Sequence, residues 1–125
     1  MSGLKEKTLI QLQKQDVVYV IYSKCTRMPF VLCDSESYDD EIFVFYNKED
    51  AEQEAEHLTA SGNPAQVIKI ERKSFLAFYA SLYLLGVNCL VVNKGTDIQI
   101  ALQLNELVRR AENQKLPEGM VKVEN

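Results

Sequence analysis

Apolar residues in this chain recur in short runs, and the spacing within each run predicts a helix or a strand. Residues 2–15 carry leucines at helical spacing among lysines and glutamines, which predicts an amphipathic first helix. The β-branched and aromatic run 17–23 (VVYVIYS) then predicts a strand, as do 28–33 (MPFVLC) and 41–46 (EIFVFY). The short link SKCTR favours antiparallel pairing of the first two strands.

The second half of the chain continues the alternation of helices and strands. After Asn47, acids in a first helical turn and Pro64 beyond Gly62 predict a helix between them. A fourth strand is predicted at 65–71, followed by a strongly apolar helix, capped by Ser74, that we expect in the centre of the core. Strands at 87–92 and 97–102 and a short helix at 104–111 complete the pattern.

These elements predict a single α+β domain over residues 1–125, with a mixed sheet of five to six strands and three to four helices. Runs of apolar residues stand on both faces of the strand at 41–46, which favours cover on both sides of the sheet. The end of the chain, 112–125, reads as a polar tail in which Met120–Val123 is either an edge strand or disordered.

The composition agrees with a globular protein, since 46% of the 125 residues are hydrophobic. No apolar run reaches the length of a membrane-spanning helix, and residues 2–16 lack the apolar stretch of a secretory signal. Three cysteines, without CxxC spacing, are more typical of a reducing compartment than of a disulfide framework. We therefore expect a cytoplasmic protein without membrane contact.

Charge is unevenly distributed around the net value of −4. Residues 34–56 contain ten acidic residues and one basic residue, Lys48. Such a block repels phosphate backbones, so we expect no nucleic-acid partner. It attracts a basic protein instead. The candidate interaction surface consists of the acids in and just after the loop 34–40: Asp34, Glu36, Asp39, Asp40 and Glu41.

Residues that could carry chemistry are few. His57 is the only histidine, and its neighbours on the helix suggest a solvated side chain. Cys25 lies between basic residues, which can activate a thiol, although an exposed structural cysteine is the simpler interpretation. Cys33 and Cys89 lie in strands and are expected in the core. The acidic loop lacks the spacing and the glycine of a calcium loop, and glycine-rich phosphate loops are absent, so we expect no metal and no cofactor.

One arrangement could still form a ligand pocket. Tyr79 and Tyr83 on the apolar helix, with Asn93 and Asp97 in the turn after the fifth strand, place aromatic and polar groups where strand ends and loops converge. At this helical spacing on a strongly apolar helix, aromatic residues are more often part of the core than of a pocket.

Four segments resemble the N-terminal domain of the SseB (enhanced serine sensitivity protein B) family, a bacterial family, over residues 17–108. They are VVYVIYS, EIFVFYNKEDAEQEAE, SFLAFYASLYLLGVNCLVVNKGTD and LQLNELV. The chain departs from the family at Lys94, where its turn usually has proline, and in the acidic loop 34–41. The family's second, C-terminal domain has no counterpart in these 125 residues. The resemblance implies an α+β domain and supplies no catalytic residues.

Three functions follow as hypotheses. The first is a non-enzymatic protein-interaction domain that forms a homodimer or binds another cytoplasmic protein. A bacterial immunity-type protein, which blocks a basic toxin, is a second. The third is a small-molecule-binding domain or small enzyme that uses the pocket named above.

Overall fold

A mixed six-stranded sheet forms the centre of the fold in the computed structural model, which describes residues 2–115. The spatial order is β4-β1-β3-β5-β6, and the short β2 also pairs with β3. The strands are β1 Val17–Ser23, β2 Leu32–Cys33, β3 Asp40–Phe45, β4 Ala65–Glu71, β5 Cys89–Val92 and β6 Ile100–Gln103.

One parallel pair makes the sheet mixed. β3 runs parallel to β5, with registers from Glu41 opposite Cys89 to Val44 opposite Val92, and the other pairs of named strands are antiparallel. A parallel connection needs a long crossover, which here is the whole segment from α2 to α3. The predicted α+β class with a mixed sheet is confirmed.

Helices cover the sheet on both faces. The helices are α1 Ser2–Lys14, α2 Lys48–Ala60, α3 Phe75–Leu84 and α4 Leu104–Lys115, and a 3-10 turn, Arg72–Ser74, precedes α3. One face carries α1, α3 and α4 over a large core, and among the described helices α2 alone covers the opposite face, over a smaller core. The structure is therefore a single small domain with a helical layer on each side of the sheet.

The alternation of side chains along β3 explains why both layers exist. Ile42 and Val44 point into the larger core, whereas Phe43 and Phe45 point towards α2, and all four are buried. Two-sided burial is the prediction that the apolar run in this strand supports, and it is confirmed.

The strand predicted at 28–33 is divided between two partners. Its first part continues the expected hairpin, because Phe30 N–H donates to Ile21 O and Ser23 N–H donates to Met28 O, both at 2.9 Å. The chain then leaves β1, and Leu32 pairs with Glu41 of β3. The pairing expected from the SKCTR link is therefore correct for the first part alone.

The apolar helix α3 lies on the surface of the larger core, in contrast to the central position expected from its sequence. It buries Phe75, Phe78, Tyr79 and Leu82, while Tyr83 and Leu84 remain 60% and 86% exposed. High apolar content alone does not distinguish a helix that is buried on all sides from one that packs against the core with one face.

The last helix extends beyond its predicted end. α4 continues past Ala111 to Lys115, so the polar tail expected at 112–125 begins within this helix. The expected edge strand at Met120–Val123 lies outside the described residues.

Candidate protein-interaction surface

The acidic loop is a tight, hydrogen-bonded turn between β2 and β3. The carboxylate of Asp34 accepts the backbone N–H of Glu36 at 2.8 Å and that of Ser37 at 3.0 Å. Asp34 N–H donates to Asp39 O, and Tyr38, at a φ of 60°, donates its N–H to Asp34 O. An aspartate that bonds the backbone ahead of it is the usual way to close such a turn.

A side chain from the opposite edge of β3 holds this turn. Asn88, just before β5, donates Nδ2 to Oδ1 of Asp39 and accepts the backbone N–H of Asp40 on its Oδ1, both at 2.8 Å. The backbone N–H of Asn88 also donates to Asp40 O at 3.2 Å. The last acids of the turn, Asp39 and Asp40, are thereby attached to the start of β5.

The turn concentrates negative charge, as the pKa values of its neighbours show. Local loss of hydration and the carboxylates of Asp34 and Asp39 raise the pKa of Glu41 above its usual value, against an opposing effect of Lys94. Loss of hydration and the charge of Asp40 likewise raise the pKa of the Cys33 thiol. Asp34 behaves in the opposite way, because the N–H groups of Ser37 and Glu36 lower its pKa.

Within the part of the chain that the structure describes, the ion pairs involve none of the five acids named from the sequence. We call Asp34, Glu36, Asp39, Asp40 and Glu41 the acidic surface. These residues are neighbours in one turn and at the start of the strand that leaves it.

Exposed apolar side chains occur in the segment that precedes and enters the acidic turn, and Leu32 is paired with Glu41. Met28, Val31, Leu32 and Tyr38 all belong to the segment that leads into or through the turn, and each is at least 42% exposed. Large exposed apolar side chains next to unpaired charge are typical of protein-binding surfaces. The sequence did not reveal them, because an apolar strand pattern does not show which side chains stay exposed.

The four residues of the predicted pocket occupy different environments. Tyr79 and Asn93 are buried, whereas Asp97 is exposed in the turn before β6. Tyr83 lies in a shallow depression formed with Asn105, Val108 and Arg109 of α4.

Asn93 and Tyr79 have structural surroundings within the larger core. Asn93 accepts the backbone N–H of Tyr46 on its Oδ1 at 3.1 Å, which joins the end of β3 to the end of β5. Burial and the neighbouring Tyr46 hydroxyl raise the pKa of Tyr79, whose own hydroxyl has no hydrogen-bond partner among the described residues. The ligand pocket stays a prediction.

The cysteines and the histidine separate into one buried and three exposed residues. Cys89 is 2% exposed, as expected, and burial together with Glu41 raises the pKa of its thiol to about 11. Cys33 is exposed, so the expectation that it belongs to the core is wrong; β2 is a strand at the surface. Cys25 and His57 are exposed as well. No cysteine of the three forms a disulfide.

A groove that the sequence did not suggest runs between α2 and β4. It has a volume of about 630 Å³, and its apolar floor includes Ala55, Ala60, Ala65 and Val67. Lys24, Lys48, Glu52 and Glu56 surround it. The groove exists because the residues of α2 and β4 that line it include alanines, whose small side chains do not fill the space between helix and strand.

The described residues contain neither a metal-binding cluster nor a membrane-spanning helix. Across residues 2–115, no three Asp, Glu, His or Cys side chains are arranged to hold a metal ion. In that same range no helix combines the length and apolar character needed to cross a bilayer.

Comparison with known proteins does not place the chain in a family. No family model matches it, and no curated protein matches it. The resemblance to the SseB N-terminal domain, on the four segments quoted above, therefore stays a prediction.

Proposed function

We propose that this chain is a non-enzymatic protein-interaction domain that binds a basic protein through the acidic surface. The observation that carries the proposal is five carboxylates without an ion pair among the described residues, on one ordered turn and the start of β3, preceded by a segment with exposed apolar side chains. Unpaired carboxylates attract a basic partner over a distance, and apolar contact then supplies short-range affinity.

The rigidity of the turn supports this role. Asn88 and the Asp34 carboxylate hold the backbone in one conformation, so binding orders few residues and loses little entropy. The raised pKa of Glu41 also supports it, because a cationic group placed nearby would relieve the repulsion from Asp34 and Asp39.

The free cysteines favour the cytoplasm as the site of action. Cys25 and Cys33 are exposed thiols with no disulfide, and an oxidising compartment would oxidise or cross-link them. We therefore place the proposed partner among cytoplasmic proteins.

The experiment compares partners captured from cytoplasmic extract by two triple variants of the full chain. Asp39→Asn, Asp40→Asn and Glu41→Gln together neutralise three of the five carboxylates of the acidic surface. Glu49→Gln, Glu52→Gln and Glu56→Gln remove the same charge from the exposed side of α2 and serve as the matched control.

A basic partner captured by wild type and by the control, but lost with the first variant, supports the proposal. We expect its affinity for the first variant to fall by roughly tenfold at low salt and by less at high salt. Equal capture by all three proteins, with unfolding curves showing all three folded, would rule the acidic surface out as the binding site.

A further inference from the structure

β4 is the last strand of the sheet on its side. Its seven residues pair with β1, and within the described residues no strand pairs with its other edge. A strand of this length with free backbone groups is a template for another strand. The free edge of β4 is separate from the acidic surface, which lies at the β2–β3 turn.

The hydrogen bonds at the two ends of β4 show which backbone groups face outward. Arg72 N–H donates to Asp16 O at 2.8 Å, and Lys24 N–H donates to Pro64 O at 2.9 Å. Because backbone groups alternate between the two edges of an antiparallel strand, the even-numbered residues of β4 bond to β1 and the odd-numbered ones face away.

One outward group is already used within the chain. Ala65 N–H donates to Oγ1 of Thr59 on α2, at 3.1 Å, which closes the start of the free edge. Val67, Lys69 and Glu71 are then the residues of β4 whose N–H and C=O groups face outward with no strand to bond.

We propose that two copies of this chain associate through antiparallel pairing of their β4 strands, about a two-fold axis at Ile70, with Lys69 opposite Glu71 of the second copy. The pair occurs twice because of the symmetry. Each pair exchanges two backbone hydrogen bonds and brings opposite charges together on the face that carries α2.

Charge selects this register over its neighbours. An axis at Lys69 or at Glu71 would place that residue opposite its own copy, and like charges directly opposite each other are destabilising. An axis at Ile68 would place Lys69 opposite Val67 and Glu71 opposite Ala65, whose N–H is already bonded to Thr59. With the axis at Ile70, Lys69 and Glu71 of each copy both lie opposite a residue of opposite charge.

The side chains are available for this pairing. Lys69 is exposed and has no ion pair among the described residues, and Glu71 has a loose one, at 3.6 Å, with the exposed Lys73. On the opposite face Ile70 is half-buried against the larger core, and its remaining apolar surface would meet Ile70 of the second copy. A lysine on an edge strand normally opposes association, and here a glutamate two residues later compensates it in one register.

Sedimentation equilibrium of the full chain tests the proposal with a charge exchange. We expect the wild type to dimerise, Lys69→Glu or Glu71→Lys alone to raise the dimer dissociation constant at least about tenfold, and the double variant to recover the wild-type value. Lys7→Glu, on the exposed part of α1, is the matched control and should leave the constant unchanged.

Hydrogen exchange supplies a second measurement on the same proteins. The amides of Lys69 and Glu71 should be protected in the wild-type dimer and exchange freely in the single variants, whereas those of Ile68 and Ile70 should be protected in all of them. A wild type that stays monomeric at high micromolar concentration overturns the proposal. So does a dimer whose dissociation constant neither single variant changes.

Discussion

Lys94 and Glu54 form an ion pair that attaches the turn after β5 to the middle of α2. The Nζ of Lys94 lies 2.8 Å from Oε1 of Glu54 and 4.4 Å from the centre of the Phe43 ring. The two side chains are 33% and 13% exposed, so the pair is partly shielded from water. The pair adds a polar contact between α2 and the turn after β5, above the Phe43 ring that α2 also packs against.

Removing one partner of this pair should destabilise the domain. Glu54→Gln leaves the Lys94 ammonium over Phe43 without its carboxylate, and we expect a loss of about 1–2 kcal/mol in the free energy of unfolding. Urea denaturation at neutral pH measures it. Glu52→Gln on the same helix is the control, because its pair with Lys48 is 3.7 Å long and exposed, and should cost less than about 0.5 kcal/mol. Equal losses from the two substitutions would contradict this.

Replacing Asn93 should destabilise the domain in two ways, through loss of the side-chain amide and through strain in a residue that disfavours positive φ. It is buried at a φ of 57°, and its Oδ1 satisfies the backbone N–H of Tyr46. Asn93→Ala should cost about 2–3 kcal/mol, since it combines backbone strain with an unbonded N–H. Asn93→Gly removes the strain and should recover about 1 kcal/mol of that in the same denaturation assay. If the two substitutions were equally destabilising, backbone strain at positive φ would not account for any of the loss in the Asn93→Ala variant.

Two residues of the acidic surface, Glu41 and Asp34, should change the free energy of unfolding with pH in opposite directions. The raised pKa of Glu41 means that its ionised form disfavours the folded state, so its contribution to stability is greatest below the usual pKa of 4.5 and declines as the pH rises. Glu41→Gln should therefore stabilise the domain at pH 7, by less than about 1 kcal/mol because the side chain is partly hydrated. This gain should vanish in acid.

Asp34 supplies the opposite case in the same turn. Its lowered pKa gives stability that is present above the usual value of 3.8 and lost as the pH falls through the folded value. Asp34→Asn should therefore destabilise at pH 7, and the difference from wild type should narrow in acid. Unfolding curves between about pH 3 and 7 measure both variants, and matching pH profiles for the two would contradict this account.

Local patterns in the sequence were sufficient to predict the elements and the fold class. Alternation in 41–46 predicted a strand covered on both faces, and Ile42 and Phe43 indeed face different cores. The order of strands could not be predicted in this way. An alternating strand pattern does not show which edge pairs with which, so the parallel neighbour of β3 and the free edge of β4 emerge in the structure alone.

The candidate site was predictable to a similar degree. The acidic residues are adjacent in sequence, so their clustering required no tertiary information. Asn88 is 48 residues from Asp40, and its bond to that residue depends on the β3–β5 pairing. The exposure of Leu32 likewise depends on the short length of β2, since apolar character alone predicts burial.

The parallel pairing of β3 with β5 has a consequence for the order in which the chain assembles during synthesis. β1, β3 and β4 can pair once Glu71 has emerged, but β5 begins only at Cys89. Until then the second edge of β3 is open, with Phe43 and Val44 on a strand that lacks its neighbour. Nascent chains paused in this interval therefore present an open edge of an apolar strand, which a chaperone would have to protect from pairing with other chains.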